Sequence, residues 1–550
     1  MNGELNLVNL LSVWKKIANQ HGFSWKNSFL KWDLPTDVWA DFALTLALPI
    51  SHKIKKNPNE IVQRILEETN CSELEYSITK QGYINFQLPN SYYQKIFNET
   101  LLKNGQNLRG EKKNLHLNLE YVSANPTGYL HLAHFRHAVI GNTLANVYQF
   151  CGYPLTREYY VNDRGVQVIS LIKSVYHFYH KLQNKPLLNS EKIEYSGQAT
   201  QKIAQELIKK WGDNYVNKEL NEEELKLWRK EILELILAKI QQDLAKCGIE
   251  YDVWFSETSL HENEKDEEIL NFLEEKNLTY FEEEAKLFKS SLVGDEKDRA
   301  IIKKDGEYTY FFSDIIYHQN KLKRANKIIN IWGADHHGYV NRIKAACQLL
   351  SDKKEEDVQI ILVQVVNLLT EEGKTAKFSK RAGNTIELEE ALTHVDIDQL
   401  KFFLLEKEPN QPLSINTKSL KENKEKTQLY YIQYAHARCH QIFQKAQEKG
   451  MNKIDSNIDL LEKNNERKIF KLLIRFPFVL ENIIEENKPH HLVHYLHDLA
   501  QAWQAYYQNE IILEEKNPKL TAQKLLLVKN IQIILKLGLD LMGISAPNIM

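Results

Sequence analysis

The stretch "EYVSANPTGYLHLAHFRHAVIGNTLANV" (Glu120–Val147) decides the fold of this 550-residue chain. The residues that lead into it, 115–123, alternate between apolar and polar side chains and predict a strand. The turn residues "ANPTG" follow, and apolar residues at helical spacing then continue until "CGYP" ends the pattern. A second strand is predicted at "LTREYYV" (Leu155–Val161). Strand, helix and strand at this spacing predict an α/β fold with a doubly wound parallel sheet.

The composition is that of a globular protein with several domains. Hydrophobic residues make up 43% of the chain and charged residues 26%, which excludes a disordered chain. A net charge of −2 does not point to nucleic acid, although one basic face could be hidden in a neutral total. No run approaches the roughly 18 apolar residues of a membrane span, and no export signal is visible. Five scattered cysteines without a C-x-x-C pair favour a reducing cytoplasm and argue against structural zinc.

The first 110 residues predict an α+β N-terminal domain. Helical patterns run over 35–54 and over 57–68, and each opens on a Pro or Asn that favours a helix start. The alternating "GYINFQL" (Gly82–Leu88) predicts a strand. The polar, glycine-bearing segment 104–114 predicts a linker, which places the end of the domain near residue 110.

The rest of the chain predicts a sheet-based core and a helical domain. Residues 111–428 predict a Rossmann-like core, with further strands expected at "KIINIWGAD" (327–335) and "VQIILVQVV" (358–366). A block at about 183–290, rich in Glu, Lys and Leu, has strong amphipathic helix patterns. We interpret this block as a helical insertion, because strand–helix alternation resumes only after it. Residues 429–550 contain helical patterns only and predict a separate all-α domain.

Two histidines, His131 and His134, stand where the first predicted strand hands over to the helix. Ligands of open α/β sheets bind at the carboxyl ends of the strands, and a helix N-terminus favours anions. Imidazoles at this place could donate hydrogen bonds to phosphate oxygens. Taken alone, an H-x-x-H pair is more often solvated or part of a core. A zinc site would need a third ligand and usually the glutamate of an H-E-x-x-H motif, and neither stands nearby.

A glycine-flanked segment, "EEGKTAKFSKRAGN" (371–384), concentrates positive charge. Lys374, Lys377, Lys380 and Arg381 could stabilise a polyphosphate whose charge builds up on a leaving group. Taken alone, the segment is more often a solvated run of charges.

A third motif, "IWGADHHGY" (Ile331–Tyr339), follows a predicted strand. Gly333 permits a close backbone approach at the strand end, and Asp335 could accept hydrogen bonds from ribose hydroxyls. A turn with Asp335 as a helix cap is an equally good interpretation of this motif alone.

Together, these motifs resemble those of class I aminoacyl-tRNA synthetases. "HLAH" (131–134) is similar to the family's HIGH motif, and "KFSKR" (377–381) is similar to its KMSKS motif. The blocks "EYVSANPTGYLHLAH", "TREYYVNDRGVQV", "DLAKCGIEYDVWFSE", "YTYFFSDIIYH", "GADHHGYVNRIKAA" and "KFSKRAGNTIEL" resemble arginyl-tRNA synthetases of the bacterial type. "GYINFQL", "QYAHAR" and the ending "MGISAPNIM" match that family as well. The resemblance covers nearly the whole chain, and the joint occurrence in this order is very specific.

The resemblance implies a two-step reaction without a protein nucleophile. The arginine carboxylate attacks the α-phosphate of ATP to give arginyl-adenylate and pyrophosphate, and a ribose hydroxyl of the tRNA then takes the arginyl group, releasing AMP. Positioning and charge stabilisation suffice for both steps. Mg²⁺ is expected to accompany ATP, with no metal ligand from the protein and no zinc. The expected protein is a cytoplasmic monomer whose N-terminal domain contacts the outer corner of the tRNA and whose C-terminal domain binds the anticodon.

The resemblance also assigns roles to individual residues. The HIGH-type motif and the residues that lead into it are Ala124, Asn125, Pro126, Thr127, Gly128, Tyr129, Leu130, His131, Leu132, Ala133 and His134. Catalytic roles fall to His131, His134, Lys377 and Lys380, and ATP binding to Ala133, Gly333, Asp335, His336, Phe378 and Ser379. Arginine binding falls to Glu120, Ser123, Asn125, Tyr310 and Asp314, and tRNA binding to Tyr434, His436 and Arg438.

The physics of the substrate agrees with the arginine assignment. A planar guanidinium pairs bidentately with carboxylates, and Tyr310 and Asp314, four residues apart, share one face if their segment is helical.

The sequence departs from the family at three positions. Ala133 replaces the usual glycine, Phe378 replaces a methionine, and Asn341 stands where proline is common. Three alternatives remain: a synthetase for cysteine or glutamate, a non-catalytic RNA-binding paralogue, and a nucleotidyltransferase. Glu120 and Asp314 argue against the first alternative, since they fit a cationic substrate better. The retained histidines, lysines and substrate acids argue against the second. The long helical tail argues against the third, which would not need it.

Overall fold

A computed structural model of the protein describes residues 7–32, 34, 40–69, 74–186, 193–216, 218–261, 265–351, 355–369, 387–416 and 427–550. Its helices are α1 Leu7–Gln20, α2 Ala47–Ile54, α3 Pro58–Thr69, α4 Asn90–Leu102, α5 Leu132–Phe150, α6 Val166–Leu182, α7 Gln198–Trp211, α8 Glu222–Lys246, α9 Lys265–Glu275, α10 Tyr310–Arg324, α11 Val340–Leu350, α12 Leu388–His394, α13 Ile397–Leu405, α14 Gln428–Glu448, α15 Asn464–Glu486, α16 His490–Asn509 and α17 Pro518–Leu541. Its strands are β1 Leu30–Lys31, β2 Phe42–Leu44, β3 Glu75–Ile78, β4 Ile84–Gln87, β5 Leu117–Glu120, β6 Leu155–Val161, β7 Val253–Ser256, β8 Thr279–Glu282, β9 Ala285–Phe288, β10 Arg299–Ile302, β11 Lys327–Gly333, β12 Val358–Val363, β13 Val366–Leu369 and β14 Leu413–Asn416. The chain forms two compact units: unit 1 comprises Met1–Gly110 with Glu425–Met550, and unit 2 comprises Glu111–Lys424.

A parallel five-stranded sheet forms the centre of unit 2. Its strand order is β12-β11-β5-β6-β7, and all neighbouring pairs are parallel. β5 is buried at all four positions because it lies in the middle of the sheet. The chain leaves β5 in one direction through β6 and β7 and returns to its other side with β11 and β12. The predicted doubly wound sheet is therefore confirmed, and its winding reverses between β5 and β11.

The predicted insertion at about 183–290 contains part of this sheet. β7 lies inside that range and pairs in parallel with β6, so the inference that alternation resumes only after residue 290 is wrong. The helices α7 and α8 precede β7, and the antiparallel sheet β10-β9-β8 follows it. β7 escaped detection because it has only four residues, each of which is half-buried.

In unit 1, a four-stranded antiparallel sheet of order β1-β2-β4-β3 packs on helices. Trp14 of α1 stacks on Phe86 of β4 with ring centroids 5.6 Å apart, and its indole N–H donates to Thr69 Oγ1 at 3.2 Å. The predictions of α3 and β4 are confirmed. The prediction of one helix over 35–54 is wrong, because the buried residues Phe42–Leu44 pair with β4 and, among the described residues of this range, only those from Ala47 are helical.

The helices α14–α17 form the rest of unit 1 and confirm the predicted all-α region. Trp503 of α16 is fully buried and donates from its indole N–H to the carbonyl of Ala435 in α14 at 3.2 Å. No helix of the described residues is long and apolar enough to cross a membrane.

A buried ion pair joins the two parts of unit 1. Asp41 is 1% exposed and accepts from Arg467 of α15, with Nη2 to Oδ2 at 2.7 Å and Nε to Oδ1 at 3.1 Å. Arg467 Nη2 also donates to the carbonyl of Leu88 at 2.7 Å, and its guanidinium lies 4.4 Å from the centroid of the Tyr93 ring. Such a desolvated pair is satisfied only as long as both members are present.

We predict that Arg467→Met destabilises unit 1, because it removes both hydrogen bonds of the guanidinium to the buried Asp41 carboxylate and leaves only the more distant Lys471, whose Nζ lies 3.7 Å from Asp41 Oδ1. The expected loss is about 3–5 kcal/mol in the free energy of unfolding. The matched control is Arg64→Met, which removes an exposed pair with Glu68 and should cost under about 1 kcal/mol. Scanning calorimetry of both variants measures the difference. Equal shifts in the two variants would contradict a structural role for the buried pair.

Candidate active site

The carboxyl ends of β5 and β11 mark the site. The two strands are neighbours, with Glu120 opposite Asn330 in the register, and the winding of the sheet reverses between them. Side chains that follow both strands can therefore converge on one crevice, which is the usual ligand position in open α/β sheets. His131 and Asp335 both lie beyond these strand ends, as the sequence predicts.

The backbone immediately after β5 is strained. Val122 and Ser123 have φ values of 71° and 38°, in the left-handed region that side-chain-bearing residues rarely adopt. Such residues cost roughly 1–3 kcal/mol each and persist only where the surroundings fix them. Ser123 Oγ does this by donating to Glu120 Oε1 at 2.9 Å and accepting from the backbone N–H of Tyr160 at 3.1 Å. The turn therefore has one defined shape before any ligand binds.

The two histidines stack at the start of α5. Their ring centroids are 3.5 Å apart and the ring planes meet at 23°. His131 precedes the helix, and its backbone N–H donates to His134 Nδ1 at 3.5 Å. Ala133 lies half-buried between them. The pair thus stands at a helix N-terminus, where backbone N–H groups and the helix dipole favour an anion.

A close approach between α5 and β5 fixes the position of this helix. Gly141 of α5 faces the fully buried Tyr121, and a β-carbon at Gly141 would overlap the Tyr121 ring at Cγ. Only glycine leaves the helix this close to the chain that continues β5. The distance between the histidines and the end of the strand is set in this way.

The site residues predicted in the lysine-rich segment lie outside the described residues. They are Lys374, Lys377, Phe378, Ser379, Lys380 and Arg381. The described residues that follow are attached to the histidine motif: Glu387 forms an antiparallel bridge with His131, and Leu388 N–H donates to the carbonyl of Leu130 at 2.8 Å.

Arg136, one turn after the histidines, was missed by the sequence analysis. It is fully buried and donates to three backbone carbonyls, those of Gln364, Glu408 and Gln411, at 2.9, 3.0 and 2.8 Å. Burial lowers the pKa of Arg136 to about 10, so the guanidinium remains charged at neutral pH. The helix that carries the histidines is thereby fastened to the segments around β13 and β14. A charged residue on an otherwise apolar helix face was the available signal.

The end of β11 forms an open edge beside α5. A β-carbon at Gly333 would overlap Asp335 Oδ1 and would lie 3.9 Å from His137 Cε1 on α5. Asp335 and His336 are exposed, and the His336 ring centroid lies 6.0 Å from that of Trp332. The predicted ATP-side residues of this motif are therefore accessible to a ligand.

The residues predicted to bind arginine surround the same crevice. α10 begins at Tyr310, so Tyr310 and Asp314 share a helix face as predicted. Tyr310 is 69% exposed, and its hydroxyl would lie 3.4 Å from a β-carbon at Gly165. Asn125 donates to Gln167 Oε1 and accepts from Asn162 Nδ2, both at 2.9 Å. Its side chain is held in place while remaining exposed.

Three neighbouring carboxylates make this crevice acidic: Asp314, Glu120 and Glu257. Burial, and then repulsion from Glu120 and Glu257, raises the pKa of Asp314 to about 7, against an opposing effect of Arg342. Burial also raises the pKa of Glu257, followed by repulsion from Asp163. A cation that enters would favour the ionised form of Asp314, because it supplies the compensating charge.

The sequence analysis also missed the partner of Glu120. Lys321 of α10 donates to Glu120 Oε2 at 2.6 Å and is fully buried. The signal was spacing: Asp314, His318 and Lys321 follow each other at four and three residues and so lie on one face of the helix. A run of polar residues on the buried face of an amphipathic helix is uncommon.

The residues predicted to bind tRNA lie on α14 in unit 1. The Arg438 guanidinium lies 4.8 Å from the centroid of the Tyr434 ring and 4.6 Å from that of Tyr507. His436 is different: it is 2% exposed, and its Nδ1 is 2.9 Å from the carbonyl of Pro547. The structure therefore gives His436 a place in the helix core rather than on the RNA-facing surface that was expected.

Within the described residues, no group of three or more His, Cys, Asp and Glu side chains could hold a metal ion.

Three family models match the chain. They are described as "Arginyl tRNA synthetase N terminal domain" over residues 17–88, "tRNA synthetases class I (R), catalytic domain" over 97–442, and "DALR anticodon binding domain" over 432–550. The arginine–tRNA ligase of Aquifex aeolicus is 38% identical over an aligned length of 555 residues. The alignment covers 93% of this chain and 94% of the relative.

Solved structures agree with these matches. A crystal structure described as an arginyl-tRNA synthetase from Campylobacter jejuni is 32% identical, with a TM-score of 0.75 over 84% of this chain and 100% of the other. The arginyl-tRNA synthetase of Thermus thermophilus has a TM-score of 0.78 over 99% of this chain and 100% of its own. Its sequence identity is 20%, so that likeness concerns the fold alone.

We predict that Gly141→Ala destabilises unit 2, because the added methyl group collides with the buried Tyr121 ring and pushes α5 outward. The expected loss is about 1–3 kcal/mol despite the better helix propensity of alanine. Gly197→Ala is the matched control, since nothing lies within 4 Å of its added β-carbon. Calorimetric unfolding of both variants tests this. A Gly141→Ala protein as stable as the control would show that α5 has room to move.

Proposed function

The chain belongs to the arginyl-tRNA synthetase family, and we propose that its reaction takes place in the crevice between the ends of β5 and β11. As a member of that family it is a ligase that joins L-arginine to its tRNA with ATP, through arginyl-adenylate, and releases AMP and pyrophosphate. The observation that carries the proposed location is the convergence of a stacked histidine pair and an acidic pocket on one loop after β5.

In the first step, His131 and His134 are proposed to hold the phosphates of ATP. Their place at the N-terminus of α5 supports this, because backbone N–H groups and imidazoles there face an anion. The arginine carboxylate forms a bond to the α-phosphorus while the bond to pyrophosphate breaks. Negative charge then builds up on the pyrophosphate. Lys377 and Lys380 are proposed from the family resemblance to neutralise it.

The remaining ATP contacts are proposed for residues on both sides of the histidines. Gly333, Asp335 and His336 would face the adenosine, and the exposure of the latter two supports this. Ala133 would lie beside the adenine, and Phe378 and Ser379 would belong to the lysine segment. We propose that Mg²⁺ comes with ATP and is held mainly by phosphate oxygens, as is usual for this ion.

The arginine substrate is proposed to lie with its guanidinium at α10 and its main chain near β5. Tyr310 and Asp314 would contact the guanidinium, which prefers a carboxylate in its plane. Glu120, Ser123 and Asn125 would line the other side. The fixed hydrogen bonds of these three side chains support a pocket that is formed before the substrate enters.

In the second step, a ribose hydroxyl at the 3′ end of the tRNA attacks the carbonyl carbon of the adenylate, and AMP leaves. We propose that residues 1–110 contact the outer corner of the tRNA and that residues 429–550 bind its anticodon. Tyr434 and Arg438 could stack on unpaired bases, because an aromatic ring and a guanidinium lie face to face there. His436 is proposed to hold the C-terminal segment in place instead.

The core is proposed to span residues 111–428. A cytoplasmic location is proposed from the role in translation and is supported by the four buried thiols at Cys151, Cys247, Cys347 and Cys439. A monomer is proposed as well.

We predict arginine-dependent exchange between pyrophosphate and ATP, measured with and without arginine tRNA. Arginine is expected to support exchange in at least one condition, whereas cysteine, glutamate and nicotinamide mononucleotide are expected to support none. Exchange with another amino acid would contradict the arginine specificity. A lack of exchange in both conditions would favour a non-catalytic RNA-binding paralogue.

We predict that arginine affinity depends on the ionisation of Asp314. Below its pKa of about 7 the carboxyl is protonated and cannot pair with the guanidinium. The Kd of the wild-type protein for arginine should therefore rise about tenfold between pH 8 and pH 6. Equilibrium dialysis with labelled arginine measures it.

Asp314→Asn is the variant that assigns this pH dependence. It should raise the Kd for arginine roughly 10- to 100-fold at pH 8, leave ATP binding nearly unchanged, and remove the slope between pH 6 and pH 8. Equal losses for arginine and ATP, or a slope that survives the substitution, would speak against a guanidinium contact at Asp314.

A further inference from the structure

A continuous chain of buried hydrogen bonds runs from Glu120 at the end of β5 to the helix turn that carries Asp314. Lys321 Nζ donates to Glu120 Oε2 and to Asn330 Oδ1, each at 2.6 Å. Asn330 Nδ2 lies 2.9 Å from His318 Nε2. His318 Nδ1 lies 2.8 Å from the backbone carbonyl of Asp314. The chain thus connects β5, β11 and α10 around one side of the arginine pocket.

The direction of every bond in this chain is fixed by Lys321. An ammonium group can only donate, so the Asn330 oxygen must face it, and the Asn330 amide N–H must then donate to His318 Nε2. His318 is therefore protonated at Nδ1 alone and donates to the carbonyl of Asp314. Burial, followed by the charge of Lys321, lowers the pKa of His318 to about 4, which agrees with a neutral ring.

Burial makes the ammonium and carboxylate charges of this chain interdependent. Lys321 and Asn330 are 0% exposed, His318 is 2% exposed and Glu120 is 4% exposed. A buried ammonium or carboxylate without its partner is strongly unfavourable. Lys321 Nζ also lies 4.7 Å from the centroid of the Tyr317 ring, which contributes a cation–π contact.

A second buried glutamate lies beside the first and has a hydrogen-bonded cation of its own. Glu158 of β6 is the register neighbour of Glu120 and is equally buried. It receives Arg324 in two bonds, Nη1 to Oε2 at 2.7 Å and Nη2 to Oε1 at 3.1 Å, and it also accepts from Tyr317 and Asn118. α10 therefore provides one cation for each glutamate, three residues apart.

We propose that Lys321 is a positioning residue that determines how arginine lies in its pocket, an inference that rests on the proposed function. Lys321 neutralises Glu120 and, through Asn330 and His318, fixes the first turns of α10. Asp314, which has no hydrogen-bonded cation among the described residues, is then the carboxylate that pairs with the substrate guanidinium. Without Lys321, Glu120 is left without its cation and the first turns of α10 lose this anchor. The guanidinium and Asp314 then no longer meet in a fixed geometry, and arginine binds more weakly.

The first test compares Lys321→Met with Lys323→Met on the same helix. Lys323 is exposed and lies 4.0 Å from Glu268, so its substitution is a matched control. The Kd for labelled arginine is measured by equilibrium dialysis, and the KM for ATP by pyrophosphate exchange with tRNA present. Lys321→Met should weaken arginine binding at least about tenfold while the KM for ATP stays within about twofold. Lys323→Met should change neither value.

The second test separates positioning from folding at His318. In His318→Asn the amide can still donate to the Asp314 carbonyl, whereas in His318→Leu nothing can. Arginine binding should fall further in His318→Leu than in His318→Asn, with ATP binding equal in both. If Lys321→Met does not fold, this pair of variants decides the question.

Two outcomes would overturn the inference. One is arginine binding in Lys321→Met equal to that of Lys323→Met, and the other is a parallel loss of arginine and ATP binding, which indicates a merely structural role. Failure of the proposed function gives a different pattern. In that case the wild-type protein does not bind arginine, or Asp314→Asn binds it as well as the wild type does.

Discussion

The packing of α5 against β5 is the constraint on which the rest of the site depends. The histidine pair can face the same crevice as Glu120 only if the helix follows the strand closely, and Gly141 permits this by leaving room for the buried Tyr121 ring. The turn between them accepts left-handed backbone at Val122 and Ser123. This strain is tolerated because the Ser123 hydroxyl is held on both sides, by Glu120 and by the backbone N–H of Tyr160. This short stretch therefore carries the histidines proposed to bind phosphate and three of the residues proposed to bind arginine, Glu120, Ser123 and Asn125.

Buried charge is the second organising feature, and α10 and α5 distribute it. The Arg136 guanidinium donates to three backbone carbonyls and so connects α5 to the segments around β13 and β14. Lys321 and Arg324 compensate the two glutamates that lie side by side on β5 and β6. In each case a residue that would destabilise a core on its own is stabilised by two or more polar contacts. The result is a frame around the pocket in which Glu120 and Glu158 each have a cation at hydrogen-bond distance.

The sequence predicted the features that depend on local pattern. The β5–α5–β6 unit and the position of His131 and His134 follow from alternation, turn residues and helical spacing. It did not predict β2 and β7, because strands of three and four residues are stabilised by pairing with distant chain rather than by their own composition. His436 carried the expected motif, yet burial against Pro547 gives it another role. The Lys321 chain links residues 201 positions apart, and no local pattern contains that information.

The acidity of the proposed pocket suits a large, planar cation such as guanidinium. Taking the guanidinium out of water is unfavourable, and an already paired carboxylate returns little of that free energy, because its charge is compensated. Asp314 is held by burial and by neighbouring carboxylates in a state that resists ionisation. Binding of arginine relieves that repulsion, so part of the binding free energy comes from the ligand-free protein itself. A neutral side chain cannot supply this gain, and a point charge on a flexible stem supplies it without the planar, bidentate geometry that Tyr310 and Asp314 offer. In the proposed pocket, selectivity for arginine thus follows from neutralising Glu120 with Lys321 while the Asp314 carboxylate stays available to the guanidinium.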